Sequence, residues 1–152
     1  MSNVQYFEDV VVGDRAAFGA YRVDRDEVIA FARAYDPQPF HLSDEAAAQT
    51  HFGRLAASGW HSCAMAMAML VEHMKHHRQA SLGSPGIDEL RWLKPVHPGD
   101  TLRCETEVLS KRPSASRPEM GLIKSWLTVF NQEGAAVLTM VSNGMIATRP
   151  LA

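Results

Sequence analysis

Asp36, His41 and Gly59 are the residues of this chain whose types and spacing best suit chemistry. Asp36-Pro37-Gln38-Pro39-Phe40-His41 sets a carboxylate and an imidazole five residues apart on a turn stiffened by two prolines. Phe52-Gly53-Arg54-Leu55-Ala56-Ala57-Ser58-Gly59-Trp60-His61 follows and puts a glycine at the start of an apolar helix. A carboxylate and an imidazole can give and take protons. An amide at a helix N-terminus, where the dipole is positive, can hold a developing oxyanion. Acid, base and oxyanion donor together suit the addition of water across a double bond conjugated to a thioester carbonyl.

Each of these residues also has a plainer reading. Asp36 before Pro37 is a common turn former, and His41 before Ser43 fits a solvated loop. Gly59 with Ser58 as N-cap is an ordinary helix start, which does not exclude an oxyanion role. Gln38, Ser58, Trp60, His61 and Ser62 flank the proposed site and are candidate substrate contacts. For His61 and Ser62, in the first helical turn, the alternative is that they satisfy loop backbone groups.

The elements that must position these groups can be read from pattern. Residues 16–23 are short and mixed enough for a strand. Asp24 caps a helix, with Glu27 three residues later in a capping-box arrangement and Val28, Phe31, Ala32 and Tyr35 as its apolar stripe. Asp36-Pro37 ends it, because proline pushes the preceding residue out of the helical region. Ser43 or Asp44 caps a second helical turn over 45–50. Residues 59–76 are apolar on nearly every side, which predicts a helix buried all round. Residues 81–86 read as a linker-like turn, followed by strands over 87–93, 101–109, 121–131 and 135–147. The order predicts an α+β fold, one domain over 1–152, with an antiparallel sheet packed on a long central helix.

Composition narrows the function. The 152 residues carry 15 Lys and Arg against 17 Asp and Glu, a net charge of −2, which gives no field suited to nucleic acid. The longest low-polarity run, 63–71, is short of the roughly 20 residues needed to cross a bilayer. Cys63 and Cys104 lie far apart and the start of the chain is polar, so a reduced, cytoplasmic protein is expected, with no nucleic-acid or membrane partner.

The chain resembles the MaoC-like dehydratases, which include the R-specific enoyl-CoA hydratases and adopt the hotdog fold. Asp36, Pro39 and His41 fall at the spacing of the family's Asp-x-Asn-Pro-x-His signature, with Gln38 where asparagine is usual. Ala57-Ser58-Gly59 matches the small residue and glycine that open the central helix. Leu90-Arg91-Trp92-Leu93-Lys94-Pro95-Val96-His97-Pro98-Gly99-Asp100 matches the strand leading into Leu-Lys-Pro-Val-x-Pro-Gly-Asp. The resemblance implies a single hotdog domain whose sheet wraps the central helix, and a homodimer or assembly of dimers joined edge to edge, with the site near the seam. It implies that Asp36 and His41 divide the proton transfers on one water, that Gly59 supplies the oxyanion amide, and that the substrate is a small-molecule enoyl thioester, with coenzyme A as part of the substrate and no other cofactor. Several members carry a serine eight residues after the glycine; Met67 stands there in this chain. A hotdog thioesterase and a non-catalytic acyl-thioester binding module are the rival readings.

Other groups carry weaker signals. His73, His76 and His77 have a ligand-like spacing but only Glu72 as a nearby carboxylate, so they read as cations at a helix C-terminus and no metal is expected. Met65, Met67 and Met69 read as core filler that could line a flexible acyl tunnel. Arg91, Lys94, His97 and Arg149 are candidates for coenzyme A phosphates or for plain surface charge.

Overall fold

The computed structural model describes residues 3–151. Five strands, β1 (Arg15–Arg22), β2 (Ser81–Trp92), β3 (Thr101–Pro113), β4 (Met120–Phe130) and β5 (Ala136–Ala147), form one antiparallel sheet in the order β1-β3-β4-β5-β2. Three α-helices, α1 (Arg25–Tyr35), α2 (Asp44–Ala47) and α3 (Gly59–His77), all precede β2 in the chain. The long helix α3 lies on one face of the sheet, as the α+β order predicts.

Local chemistry accounts for the helix ends. Asp24 accepts a hydrogen bond from the Glu27 amide at 3.0 Å and so caps α1. The carboxylate of Glu27 accepts from the Tyr21 hydroxyl at 3.1 Å, which ties α1 to β1. Ser43, not Asp44, caps α2, which is shorter than the predicted 45–50. Asp44 instead pairs with Arg25 at 2.6 Å and accepts from the Leu55 amide at 2.9 Å.

The core lies between α3 and the inner face of the sheet. Met65, Ala66 and Met69 pack with Leu102, Cys104, Leu127, Val129, Leu138 and Met140. Burying each large side chain contributes about 1.5–3 kcal/mol. β1 comes so close to the helix that a Cβ on Gly19, at φ +89°, would sit 2.4 Å from the Met69 sulfur.

Three expectations need correction. Residues 81–86 are the first half of β2 and not a linker. Pro85 and the glycines are tolerated because β2 is an edge strand, paired only with β5 through a register broken at three places. Helix α3 is not buried all round: Trp60, Met67 and Val71 are 60, 50 and 38% exposed, because the sheet of one chain covers only one flank. The apolar stripe of α1 buries Val28 and Ala32, but Tyr35 at the helix end is exposed, its ring tilted against Phe31 at 5.1 Å.

Candidate active site

Asp36 ends α1 with φ −150° and ψ 68°, a break enforced by Pro37. Pro39 starts a single 3-10 turn, Pro39–His41, which carries the His41 ring back toward Asp36. The two groups meet with His41 Nε2 3.3 Å from Asp36 Oδ2. His41 is buried, and its Nδ1 lies 2.7 Å from the Ala56 carbonyl oxygen. A carbonyl only accepts, so Nδ1 is assigned a proton, and Nε2, which must carry a second proton whenever the ring is charged beside Asp36, is the nitrogen left to exchange protons with the site.

Asp36 is richly supplied with donors. Gln38 Nε2 donates to Oδ1 at 2.7 Å, and Ser58 Oγ donates to Oδ2 at 2.7 Å. Burial pushes the carboxyl up, but these two hydrogen bonds and the nearby His41 charge outweigh it and hold Asp36 below its ordinary value. A carboxylate has about four acceptor sites. Gln38 and Ser58 occupy two, and the His41 ring stands 3.3 Å from Oδ2, which leaves acceptor capacity for a water or a substrate hydroxyl.

Ser58 occupies the N-cap position of α3, but its side chain makes no cap bond. The hydroxyl serves Asp36 instead. The first amides of α3, Gly59 among them, therefore lack both an intrahelical acceptor and a side-chain cap, and remain available to an incoming oxygen at the positive end of the helix.

Gly59 has a second reason to be glycine. A Cβ there would lie 2.5 Å from the Trp92 indole, whose Nε1 donates to the Gly59 carbonyl at 2.9 Å. The missing side chain is thus filled by Trp92 on β2. Trp92 in turn meets Trp60 edge to face at 5.2 Å.

The residues predicted from sequence therefore separate. Asp36, His41, Gln38 and Ser58 converge, with Gly59 next along the chain. Gln38 and Ser58 both touch the carboxylate, so the Gln38 departure from the usual asparagine keeps a donor on Asp36. His61 and Ser62 are buried in the first turn of α3. The His61 ring stacks on Phe31 at 4.6 Å, and its Nδ1 has no hydrogen-bond partner among the described residues. Trp60 stands exposed beside Trp92. Sequence reasoning named Phe31 as part of the α1 stripe and Trp92 as part of a motif but foresaw neither contact with the α3 start, since no local pattern links an indole to a carbonyl 33 residues away.

Several of the peripheral candidates are engaged elsewhere. His73 stacks on Phe18 at 4.2 Å, His76 Nε2 lies 3.1 Å from Glu72, and His77 Nδ1 donates to the His73 carbonyl. Among the described residues no group of three or more His, Cys, Asp or Glu could hold a metal ion. Arg149 pairs with Asp9 at 2.6 Å, and the His97 ring bonds the Leu55 carbonyl. Among the described residues, no helix is long and apolar enough to cross a membrane. Two grooves of the chain, of about 470 and 440 Å³, lie away from the cluster, one at the C-terminal end of α3 and one across β1, β3 and β4.

Residues 2–125 match the MaoC like domain. The chain belongs to the MaoC-like dehydratase family. Among curated relatives, it is 30% identical over 119 residues to 3-hydroxybutyryl-CoA dehydratase of Methylorubrum extorquens, covering 77% of this chain and 72% of that one. It is 30% identical over 158 aligned positions to mesaconyl-CoA hydratase of Cereibacter sphaeroides, covering 97% of this chain but only 43% of that one. The crystal structure of a MaoC-like dehydratase from Rhodospirillum rubrum superposes with a TM-score of 0.84 at 39% identity, over 97% of this chain and 99% of that one. A Mycobacterium tuberculosis protein with a double hotdog fold matches at TM-score 0.74 and 22% identity, over 96% of this chain and 45% of that one. This MaoC-like domain is accordingly a single hotdog, and its dehydratase family, with relatives named as a hydratase and a dehydratase, supports a hydro-lyase activity.

Proposed function

We propose that this MaoC-like protein adds water reversibly to a 2-enoyl thioester, carried on coenzyme A, to give a 3-hydroxyacyl thioester. The observation that carries this reading is the 3.3 Å approach of His41 Nε2 to Asp36 Oδ2, with the other ring nitrogen held by Ala56. Asp36, kept ionised by its donors, takes a proton from the water bound at its free acceptor site as the hydroxyl adds to Cβ. The Cα–Cβ π pair moves into the thioester, and the enolate oxygen is met by the Gly59 amide. A proton passes from the Asp36–His41 pair to Cα, so the pair ends in its starting protonation state. Neither a metal nor a redox cofactor is required. Trp60, His61 and Ser62, on the same helical turn, are the proposed substrate contacts, and the R product follows from family resemblance.

The same reading makes the protein at least a homodimer. The open edge of β2, with Leu82 and Ile87 about half exposed, and the bare flank of α3 offer apolar surface that a second copy would cover. A seam there would run past Trp60 and Trp92, beside the catalytic cluster. Two separated cysteines suit a reducing cytosol.

The test is a series of enoyl thioesters of graded acyl length, followed by mass for gain of one water and, in parallel, for released thiol. The native protein should gain water without freeing thiol. Asp36→Asn and His41→Ala should each lose about 10²-fold or more. Thiol release would instead make it a thioesterase, and binding without turnover in all three would make it an acyl-thioester binding module.

A further inference from the structure

The segment Leu55-Ala56-Ala57 lies between two loops and is held by both. One is the Pro39–His41 turn; the other is the Leu93–Asp100 loop between β2 and β3. The peptide joining Leu55 to Ala56 gives its N–H to the Phe40 carbonyl at 3.3 Å and takes the His97 Nδ1 proton on its oxygen at 2.8 Å. The next peptide, joining Ala56 to Ala57, takes the His41 Nδ1 proton on its oxygen at 2.7 Å and gives its N–H to the Val96 carbonyl at 2.7 Å. Each peptide is therefore pinned at one end by the turn that carries His41 and at the other by the loop that carries His97. Two imidazoles occupy two successive carbonyls, one from each side.

This crossed arrangement matters because Ser58 and Gly59 come next in the chain. A shift of the 55–57 peptides would move the acceptor that fixes the His41 ring, the Ser58 hydroxyl on Asp36 and the first amide of α3 together. His97 is itself fixed: its amide donates to Asp100 Oδ2 at 2.9 Å, and Asp100 Oδ1 accepts from Gln132 Nε2 at 3.0 Å. Asp100 is buried. The sheet end therefore supplies a rigid anchor, and the His97 ring transmits it to the segment that presents the site.

We propose that His97 is a positioning residue, whose Nδ1–H on the Leu55 carbonyl sets the 55–57 segment so that His41, Ser58 and Gly59 stay in register with Asp36. The proposal deepens the hydratase reading and rests on it for the catalytic readout alone. His97 does not touch the reacting atoms.

Two substitutions separate the hydrogen bond from bulk. His97→Asn places an amide donor near the position of Nδ1, and His97→Leu keeps volume but donates nothing. With an enoyl-CoA substrate, His97→Leu should lower kcat about tenfold with KM within about twofold, and His97→Asn should recover most of it. Independently of turnover, long-range proton–nitrogen NMR of the His41 ring should show its Nδ1 and Nε2 signals displaced in His97→Leu and near native in His97→Asn. If His97→Leu does not fold, His97→Asn and His97→Gln provide the same comparison, since the glutamine amide falls near Nε2 instead. Equal behaviour of donor and non-donor variants, or native His41 signals in both, would overturn the proposal. A displaced His41 ring in a protein that hydrates no enoyl thioester would leave the positioning role standing and remove the hydratase reading.

Discussion

Ser58 donates its hydroxyl to Asp36 Oδ2 at 2.7 Å across 22 positions of sequence, so the residue in the N-cap place of α3 serves the carboxylate and not the helix. A serine before a buried helix ordinarily closes the first turn with its side chain. Here the first amides stay open, and the carboxylate gains a short charge-assisted bond. One side chain thus settles both the state of the proposed base and the availability of the proposed oxyanion donor.

Ser58→Ala should therefore act through Asp36. No side-chain cap is lost, and the bond to an ionised group is worth about 1.5–3 kcal/mol. Asp36 sits below its ordinary value because the Gln38 and Ser58 bonds and the His41 charge outweigh burial. A lowered carboxyl pKa stabilises the fold above the unfolded value of about 3.9, and that contribution fades as pH falls through the folded value. The stability gap between native and Ser58→Ala should be present at pH 7 and shrink progressively as pH falls below the unfolded value of about 3.9, read by urea unfolding across that range. On the kinetic side, the acid limb of kcat/KM should move to higher pH, because one of the bonds holding the base ionised is gone. A gap unchanged with pH would mean that the hydroxyl acts on something other than the carboxylate.

Gly59→Ala should destabilise the protein by about 1–3 kcal/mol, because the new methyl would press on the Trp92 indole at 2.5 Å. The indole cannot simply swing aside, since its Nε1 is bonded to the Gly59 carbonyl. Pairing the change with Trp92→Leu should recover part of the loss. A double-mutant cycle by chemical unfolding measures this coupling, and strictly additive effects would place the strain elsewhere.

How far the sequence foretold this architecture depends on the range of the interaction concerned. Asp24, Pro37 and Ser43 act within three or four residues, so α1, its end and the start of α2 were legible from local chemistry. Asp36 and His41 were legible because five residues and two prolines confine them. The Trp92–Gly59 and His97–Leu55 bonds span 33 and 42 positions, and nothing in either neighbourhood announces the other. The half-exposed state of Met67 was equally hidden, because an apolar helix reads the same whether its own sheet or a second chain covers it. Residues 81–86 misled for a related reason: Pro85 and two glycines signal a turn locally, and only the edge position of β2 makes them tolerable.

Cys104 should be inert in the folded protein. It is fully buried on β3, and burial pushes its thiol up to about 12, so almost no thiolate forms near neutral pH. Iodoacetamide labelling at pH 8 followed by mass should leave Cys104 unmodified until the protein unfolds. Cys63, half-buried on α3, is also pushed up by burial, with a partly offsetting hydrogen bond from Trp92. Rapid labelling of Cys104 under native conditions would mean that the core between α3 and β3 opens far more readily than its packing implies.

His61→Phe separates a structural from a substrate role for a residue that sits beside the cluster. His61 is 6% exposed, its ring lies flat on Phe31, and its Nδ1 has no partner among the described residues, which costs the fold about 1–3 kcal/mol. Burial lowers its pKa, more than the Glu27 charge raises it. The sign follows: the unfolded chain takes up a proton near pH 6.5 that the folded chain refuses, so this site costs stability as pH falls through that value toward the folded one. Phenylalanine keeps the stack on Phe31 and removes both penalties. The variant should be more stable than the native protein at pH 7, by on the order of 1 kcal/mol, and its advantage should widen at pH 5.5. If His61 also touches the substrate, KM should rise several-fold in the same variant while the fold improves. A variant that is less stable at both pH values would show that Nδ1 finds a partner in solution, which a bound water or a second chain at the α3 flank would supply.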